Sequence, residues 1–163
     1  MVNKILLIFP ILTSAFSSCS SESNESKKKE YTVDKGVNFN GLVFYVNKIQ
    51  VTQELEREDG NKYKTENYYV CLITTTQNNT QKTQTIEREM FIYHTGQYSY
   101  IPADINIVFS NCLYLSRDID PGLKKDLWII FETPNGFTDS DYLEIKPYKN
   151  YDYSYDFTFS KAE

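Results

Sequence analysis

The sequence predicts an all-β fold, an antiparallel β-sandwich behind an amino-terminal leader and a short polar tether. Three observations carry that expectation. Aromatic residues make up 15% of the 163 positions, with 14 Tyr and 10 Phe, alongside many Thr, Val and Ile, and such side chains favour pleated, half-buried surfaces. Apolar runs are short and separated by Gly, Pro, Asn and Asp turn signals. No stretch sustains a 3.6-residue apolar period. A chain of this length makes one domain of ordinary size.

From Tyr31 the elements follow in order. In "GLVFYVNKIQV", Gly41 to Val51, the apolar positions Leu42, Phe44 and Val46 change parity to Ile49 and Val51, which predicts a bulge near Asn47 and Lys48. "EREDGNKYK", Glu56 to Lys64, centres on Asp59-Gly60 and predicts a charged hairpin loop. "NYYVCLITTTQNN", Asn67 to Asn79, is a long β-branched and aromatic run that ends in an asparagine pair. "EREMFIYHTGQYSYI", Glu87 to Ile101, predicts two short strands about Thr95-Gly96, and Ile105 to Leu115 reads as a further apolar run in this succession of strands. After the Pro121-Gly122 turn, Leu127 to Phe131 is apolar at both parities, which suits a strand covered on both faces.

The amino terminus reads as a targeting segment. Lys4 gives a charged start and Ile5 to Phe16 an apolar run of about a dozen residues, broken by Pro10 and too short for the roughly 20 residues of a membrane span. Ser17 and Ser18 then precede Cys19. This arrangement resembles the lipobox of bacterial lipoproteins, with Phe16 where that motif usually carries Leu. The resemblance implies a leader over residues 1–18, lipid attached to Cys19, and anchoring by more than one acyl chain. The plainer alternative is an ordinary signal peptide with Cys19 incidental. Ser20 to Glu30 has no apolar residue and reads as a tether, so the domains are expected at 1–18, 19–30 and 31–163. Ser20, Glu22 and Glu25 after the cysteine resemble lipoproteins routed to the outer membrane or cell surface.

The folded part also carries a resemblance. Gly41 opens a long apolar strand; Tyr69 to Asn79 ends in Asn78-Asn79; Met90 to Tyr100 ends on Gly and Tyr; Pro121-Gly122 leads to Leu127 to Phe131 and then Pro134. In that order, residues from about Val37 to Ile145 resemble the immunoglobulin-like domain of unknown function found on many bacterial lipoproteins and secreted proteins. That domain is related in fold to a mycobacterial immunoprotective secreted antigen. The charged loop Glu54 to Glu66, the Tyr-rich carboxyl terminus and the cysteines Cys71 and Cys112 depart from the pattern. The resemblance implies an immunoglobulin-like sandwich, a tether and an envelope location, and it implies no catalytic residue.

Chemistry is sparse. His94 is the only histidine, so triad catalysis and histidine-rich metal sites have little to build on, and neither a metal nor a cofactor is expected. Asp118/Asp120 and Asp139/Asp141 are paired carboxylates, but neighbours on one turn do not make an acid and a base. Asp139-Ser140-Asp141 could contribute oxygens to calcium, or simply form a turn after Phe137. The net charge of −5 argues against nucleic acid as a partner. Cys71 and Cys112 admit two readings, a disulfide closing a loop of about 42 residues and adding roughly 4 kcal/mol, or two small buried hydrophobes.

Last comes "YDYSYDFTF", in which Tyr151, Tyr153, Tyr155, Phe157 and Phe159 alternate with Asp152, Ser154, Asp156 and Thr158. Such alternation specifies a half-buried strand. Its aromatic face either lies on the core or leaves Tyr151, Tyr153 and Tyr155 exposed to bind a glycan or a protein. The expected role is therefore non-enzymatic: a binding module held to the membrane by its lipid. The alternative is an inhibitor or immunity-type lipoprotein that wedges the acidic Glu54 to Glu66 loop into a partner enzyme.

Overall fold

The structure, a computed structural model, describes residues 29–39, 41–146 and 155–159. The described residues form ten strands: β1 (Lys29–Phe39), β2 (Leu42–Glu56), β3 (Lys62–Asn78), β4 (Gln84–Glu87), β5 (Phe91–Thr95), β6 (Tyr98–Tyr100), β7 (Ser116–Ile119), β8 (Lys124–Thr133), β9 (Tyr142–Ile145) and β10 (Tyr155–Thr158). One sheet has the order β1-β2-β3-β8, the second β10-β9-β5-β6, and β4 pairs with β7 alone. Every strand-to-strand pairing is antiparallel. The predicted all-β sandwich is thus the observed architecture. β1 begins at Lys29, so Lys29 and Glu30, read from sequence as tether, already pair with Val51 and Gln50.

The two sheets meet through apolar side chains that alternate along each strand, with one change of parity in β2. Val70 and Leu72 of β3 and Leu127, Ile129 and Phe131 of β8 face Phe91 and Tyr93 of β5 and Leu143 and Ile145 of β9. Rings lock the layers: Phe44 lies 5.1 Å from Phe91, and Tyr93 stacks on Phe131 at 5.3 Å. The parity change in β2 is a bulge, because the β2–β3 register jumps between Val46 and Lys48. That extra residue lets Leu42, Phe44 and Val46 on one side and Ile49 and Val51 on the other all enter the same core. The small β4–β7 sheet closes the core with Ile86 and Ile119.

β8 is covered on both faces, as its double-parity run predicts. Trp128 and Ile130 point away from the main core, into a second apolar cluster with Leu55, Tyr63, Tyr69, Cys71, Ile105, Phe109 and Cys112. Covering this outer face is the work of the run from Ile105, which is not a strand. It forms a 3-10 turn, Asp104–Val108, and then a single parallel bridge between Cys112 and Trp128. The reason is a side chain. Asn106, fully buried, accepts the Ile130 N–H at 3.1 Å and donates to the Ile130 carbonyl at 2.9 Å, which the Ala103 N–H also bonds at 2.8 Å, so at Ile130 a side-chain amide and one turn amide stand in for a neighbouring strand. Arg88 pins the start of this segment, bonding the Pro102 carbonyl and pairing with Asp104 at 2.8 Å. No helix among the described residues is long and apolar enough to cross a membrane.

Candidate functional site

The outer cluster is only partly covered, and a groove of about 500 Å³ opens over it. Leu55, Ile130 and Cys112 form its buried floor, and the half-buried rings of Trp128 and Phe109 stand beside them. One wall is Val108 to Asn111; the other is the end of β2 and the hairpin that follows. A register shift between Thr52 and Glu54 bends that hairpin, because the partner jumps from Tyr69 to Lys64 and four β3 residues are left over. The bend carries Leu55 and Tyr63 onto the outer cluster, where Tyr63 meets Phe109 edge-on at 5.8 Å. Asp59-Gly60 makes the turn, with Gly60 at φ 83° and the Asp59 carboxylate accepting from the Asn61 N–H at 3.1 Å.

Three carboxylates and one guanidinium line the groove: Glu54, Glu56, Glu58 and Arg57. They are not equivalent. Glu54 is held from the β3 side by Lys62 at 2.8 Å and Lys64 at 3.0 Å, and the Lys62 hydrogen bond above all keeps its carboxyl below the usual range. Lys62 also reaches Glu56 at 3.4 Å, and its ammonium is held above its ordinary value chiefly by Glu54. Arg57 sits 3.5 Å from Asp59. Glu58 is exposed and has no ion-pair partner among the described residues. On the floor, burial pushes the Cys112 thiol up to about 12, which keeps that end of the groove uncharged.

The residues singled out in the sequence fall into separate places. Cys71 and Cys112 are buried thiols with no bridge joining them, the second of the two readings. β8 keeps them apart: Cys71 pairs with Ile130 on one side and Cys112 bridges Trp128 on the other. Two strand spacings, about 9.5 Å, exceed the roughly 4.4–6.8 Å between Cα atoms that a disulfide needs. Cys19, Tyr151 and Tyr153 lie outside the described residues. Tyr155 stands in β10 opposite Ile145, while Phe159, last of the alternating aromatics, is buried against Tyr93 and Phe137.

His94 lies on the outer face of the second sheet, stacked on Tyr142 at 4.4 Å. Its Nε2 meets Glu144 at 2.9 Å and its Nδ1 meets Ser99 at 3.0 Å. A serine nucleophile in a triad is bonded to one ring nitrogen inside a cleft with oxyanion donors; Ser99 is exposed on a β-hairpin and outside the groove. Asp118 and Asp120 accept the hydroxyls of Thr85 and Thr83 at 2.8 and 2.9 Å, as cross-strand supports. Asp141 is buried with its oxygens given to Tyr93 and Thr138, so the Asp139 to Asp141 stretch is a turn. Among the described residues no group of three or more His, Cys, Asp or Glu could hold a metal.

Sequence reading did not assemble the groove, although two of its signals were visible, the double-parity run in β8 and the charged hairpin. Taking Ile105 to Leu115 as a strand hid the wall that completes it.

Comparison with known proteins places this geometry among relatives. The model of a domain of unknown function (DUF4352) matches residues 31–156. No curated protein matches the chain. Among solved structures, the yjhA protein from Bacillus subtilis superposes with a TM-score of 0.61 at 16% identity, over 80% of this chain and 99% of that one. A conserved hypothetical protein from Bacillus anthracis gives 0.58 at 12% identity, over 82% and 99%. A third, a "putative lipoprotein (ycdA)" from Bacillus subtilis, gives 0.55 at 10% identity over 76% of this chain and 38% of that one. At such identities the likeness is one of fold.

Proposed function

The chain belongs to the DUF4352 family of domains of unknown function, and from that premise we propose that it is a lipid-anchored cell-envelope protein whose sandwich is a non-catalytic binding module. The ligand site is the groove between the β2–β3 hairpin and Val108 to Asn111. One observation carries this reading: the main core is complete without the outer cluster, yet that cluster holds an opening of about 500 Å³ with an apolar floor and aromatic sides, within the usual range for binding sites. Ser17-Ser18-Cys19 after an apolar run supports the anchor, and a relative of the same fold whose name says lipoprotein agrees with it.

A second reading, an envelope inhibitor or immunity-type protein, draws on the same hairpin. Its turn, Arg57 to Asn61, is exposed, and the stem beneath it is braced by Lys62 and Lys64 on Glu54, the form a wedge would need.

Both parts are testable in the native cell. Labelled palmitate should enter the wild type and not Cys19→Ser, and only the wild type should fractionate with membrane; an unlabelled wild type removes the anchor. Envelope components retained by the detergent-solubilised chain should be lost with Ser110→Trp, which fills the groove from its exposed lip. Retention that survives Ser110→Trp and is lost on charge reversal at Glu54, Glu56 and Glu58 moves the assignment to the wedge.

A further inference from the structure

A second, more open cleft of about 370 Å³ adjoins the groove, sharing Ser110 and Asn111 with it, and is lined further by Arg117, Lys124, Lys125, Asp126 and Leu127. The two clefts carry opposite charge. Glu56 and Glu58 stand at the hairpin end; Lys124, Lys125 and Arg117 stand at the other. Asp126 is occupied by the Thr75 hydroxyl at 2.6 Å, and Arg117 bonds the Ser110 carbonyl at 3.2 Å. Glu58, Lys124 and Lys125 are exposed and have no ion-pair partner among the described residues. From Lys124 to Ile130 is six strand steps, about 20 Å. An opening that long, aromatic at one end and charged oppositely at its two ends, is too extended for a single small cation.

We propose that the two adjoining clefts act as one trough and bind an extended peptide segment of a partner protein, with a basic side chain of the peptide over Trp128 between the hairpin carboxylates and an acidic side chain at Lys124 and Lys125. This rests on the binding-module reading and names its ligand class. The aliphatic stem of an Arg or Lys would lie on Leu55 and Ile130, and its charge would meet the rings of Trp128 and Phe109 as well as Glu58. From Lys124 to Trp128 is four strand steps, about 13 Å, so side chains about four positions apart in an extended peptide reach both places. Opposite charge at the two ends sets the direction in which a peptide lies, since the reversed orientation brings like charges together.

The chain supplies its own reporter, because Trp128 is the only tryptophan in the sequence. The full-length protein in detergent is titrated with synthetic ten-residue peptides that carry one Arg and one Glu at separations of three to seven residues. Controls are an all-basic peptide, an uncharged one, and spermidine. Separations of about four residues should give saturable changes in Trp128 emission that weaken with salt. Glu58→Lys and the pair Lys124→Glu/Lys125→Glu, each checked for unchanged Tm, should weaken binding at least tenfold. Combining the three reversals should restore binding to the same peptide in the opposite orientation.

Silence from every peptide overturns the proposal. So does equal binding of spermidine or the all-basic peptide with no effect of the Lys124 and Lys125 reversals, which would make the site one for free cations. Should Ser110→Trp still abolish envelope capture while no peptide binds, the module keeps its groove and loses only this ligand.

Discussion

Asn106 brackets the backbone of Ile130, accepting its N–H at 3.1 Å and donating to its carbonyl at 2.9 Å, and finishes the edge of β8 together with backbone bonds between Ala103 and Ile130 and between Trp128 and both Asn111 and Leu113. The same side chain also bonds the Ala103 carbonyl at 2.6 Å, which closes its own turn. Edge strands left open invite pairing with other chains, and here the protection comes with a wall of the groove attached. Asn106→Ala should cost about 2–4 kcal/mol, since three hydrogen bonds are lost and the buried Ile130 N–H is orphaned. Denaturant titration measures the loss. Amide exchange should quicken at Ile130 well before it quickens at Leu72 in the main core. An unchanged rate at Ile130 would mean the amide is not what holds the edge.

Tyr93 and Asp141 form the corresponding lock in the main core, with the phenol donating to the carboxylate at 2.6 Å and the carboxylate 1% exposed. Tyr93→Phe keeps the ring on Phe131 and removes only the donor. Asp141 would retain the Thr138 N–H and hydroxyl but lose its third partner. The expected cost is about 1–3 kcal/mol, read as a lower Tm, with little change in the near-ultraviolet signature of the packed rings. A variant as stable as the wild type would show that Thr138 alone satisfies the carboxylate.

What could be read in advance depended on whether the signal was local. The bulge at Asn47 was legible because Leu42 to Val51 changes parity within eleven residues, and a sheet with one buried face permits no other explanation. The double cover of β8 was legible for the same reason, from Leu127 to Phe131 alone. The cover itself was not. Ile105 to Leu115 is apolar like a strand, and nothing in its own composition says that Asn106 will satisfy Ile130 twenty-four residues later. β4 was missed because Gln84 to Glu87 has one apolar residue, Ile86, and is a strand only through its pairing with Ser116–Ile119. The groove combines both failures: its floor was visible, but its wall and its charges meet only through long-range pairing.

Alkaline pH should destabilise the outer cluster first. Burial holds the Cys112 thiol up at about 12 from an ordinary value of 9.0, so the folded state keeps a proton that the unfolded chain gives up. A raised value stabilises fully below pH 9 and is lost as pH rises toward 12, at up to about 1.4 kcal/mol per pH unit for one group. The Tyr69 phenol is raised too, chiefly by burial, and acts in the same direction above pH 10. Cys112→Val should therefore flatten the fall in Tm between pH 9 and 11. Iodoacetamide at pH 8 should leave Cys112 unmodified in the folded protein and label it in denaturant. Rapid labelling of the folded protein would contradict the burial on which the pH argument depends.

Gly41 makes the turn between β1 and β2 at φ 80°, where its N–H meets the Asn38 side chain at 3.1 Å and its carbonyl accepts from Asn79 at 2.7 Å. A Cβ added there would stand 2.7 Å from the Thr80 methyl. Gly41→Ala thus carries two separate penalties, the left-handed backbone, about 1 kcal/mol, and a contact too close to keep. Thr80 cannot retreat freely, because its N–H and hydroxyl are both held by the buried Asn78 side chain, at 2.9 and 2.7 Å. The two penalties can be separated. Thr80→Ser removes the offending methyl and keeps the hydroxyl, so Gly41→Ala should cost about 2–3 kcal/mol in the wild-type background and only about 1 beside Thr80→Ser. Equal costs in both backgrounds would leave the backbone angle as the whole penalty and remove the contact with Thr80 from the explanation.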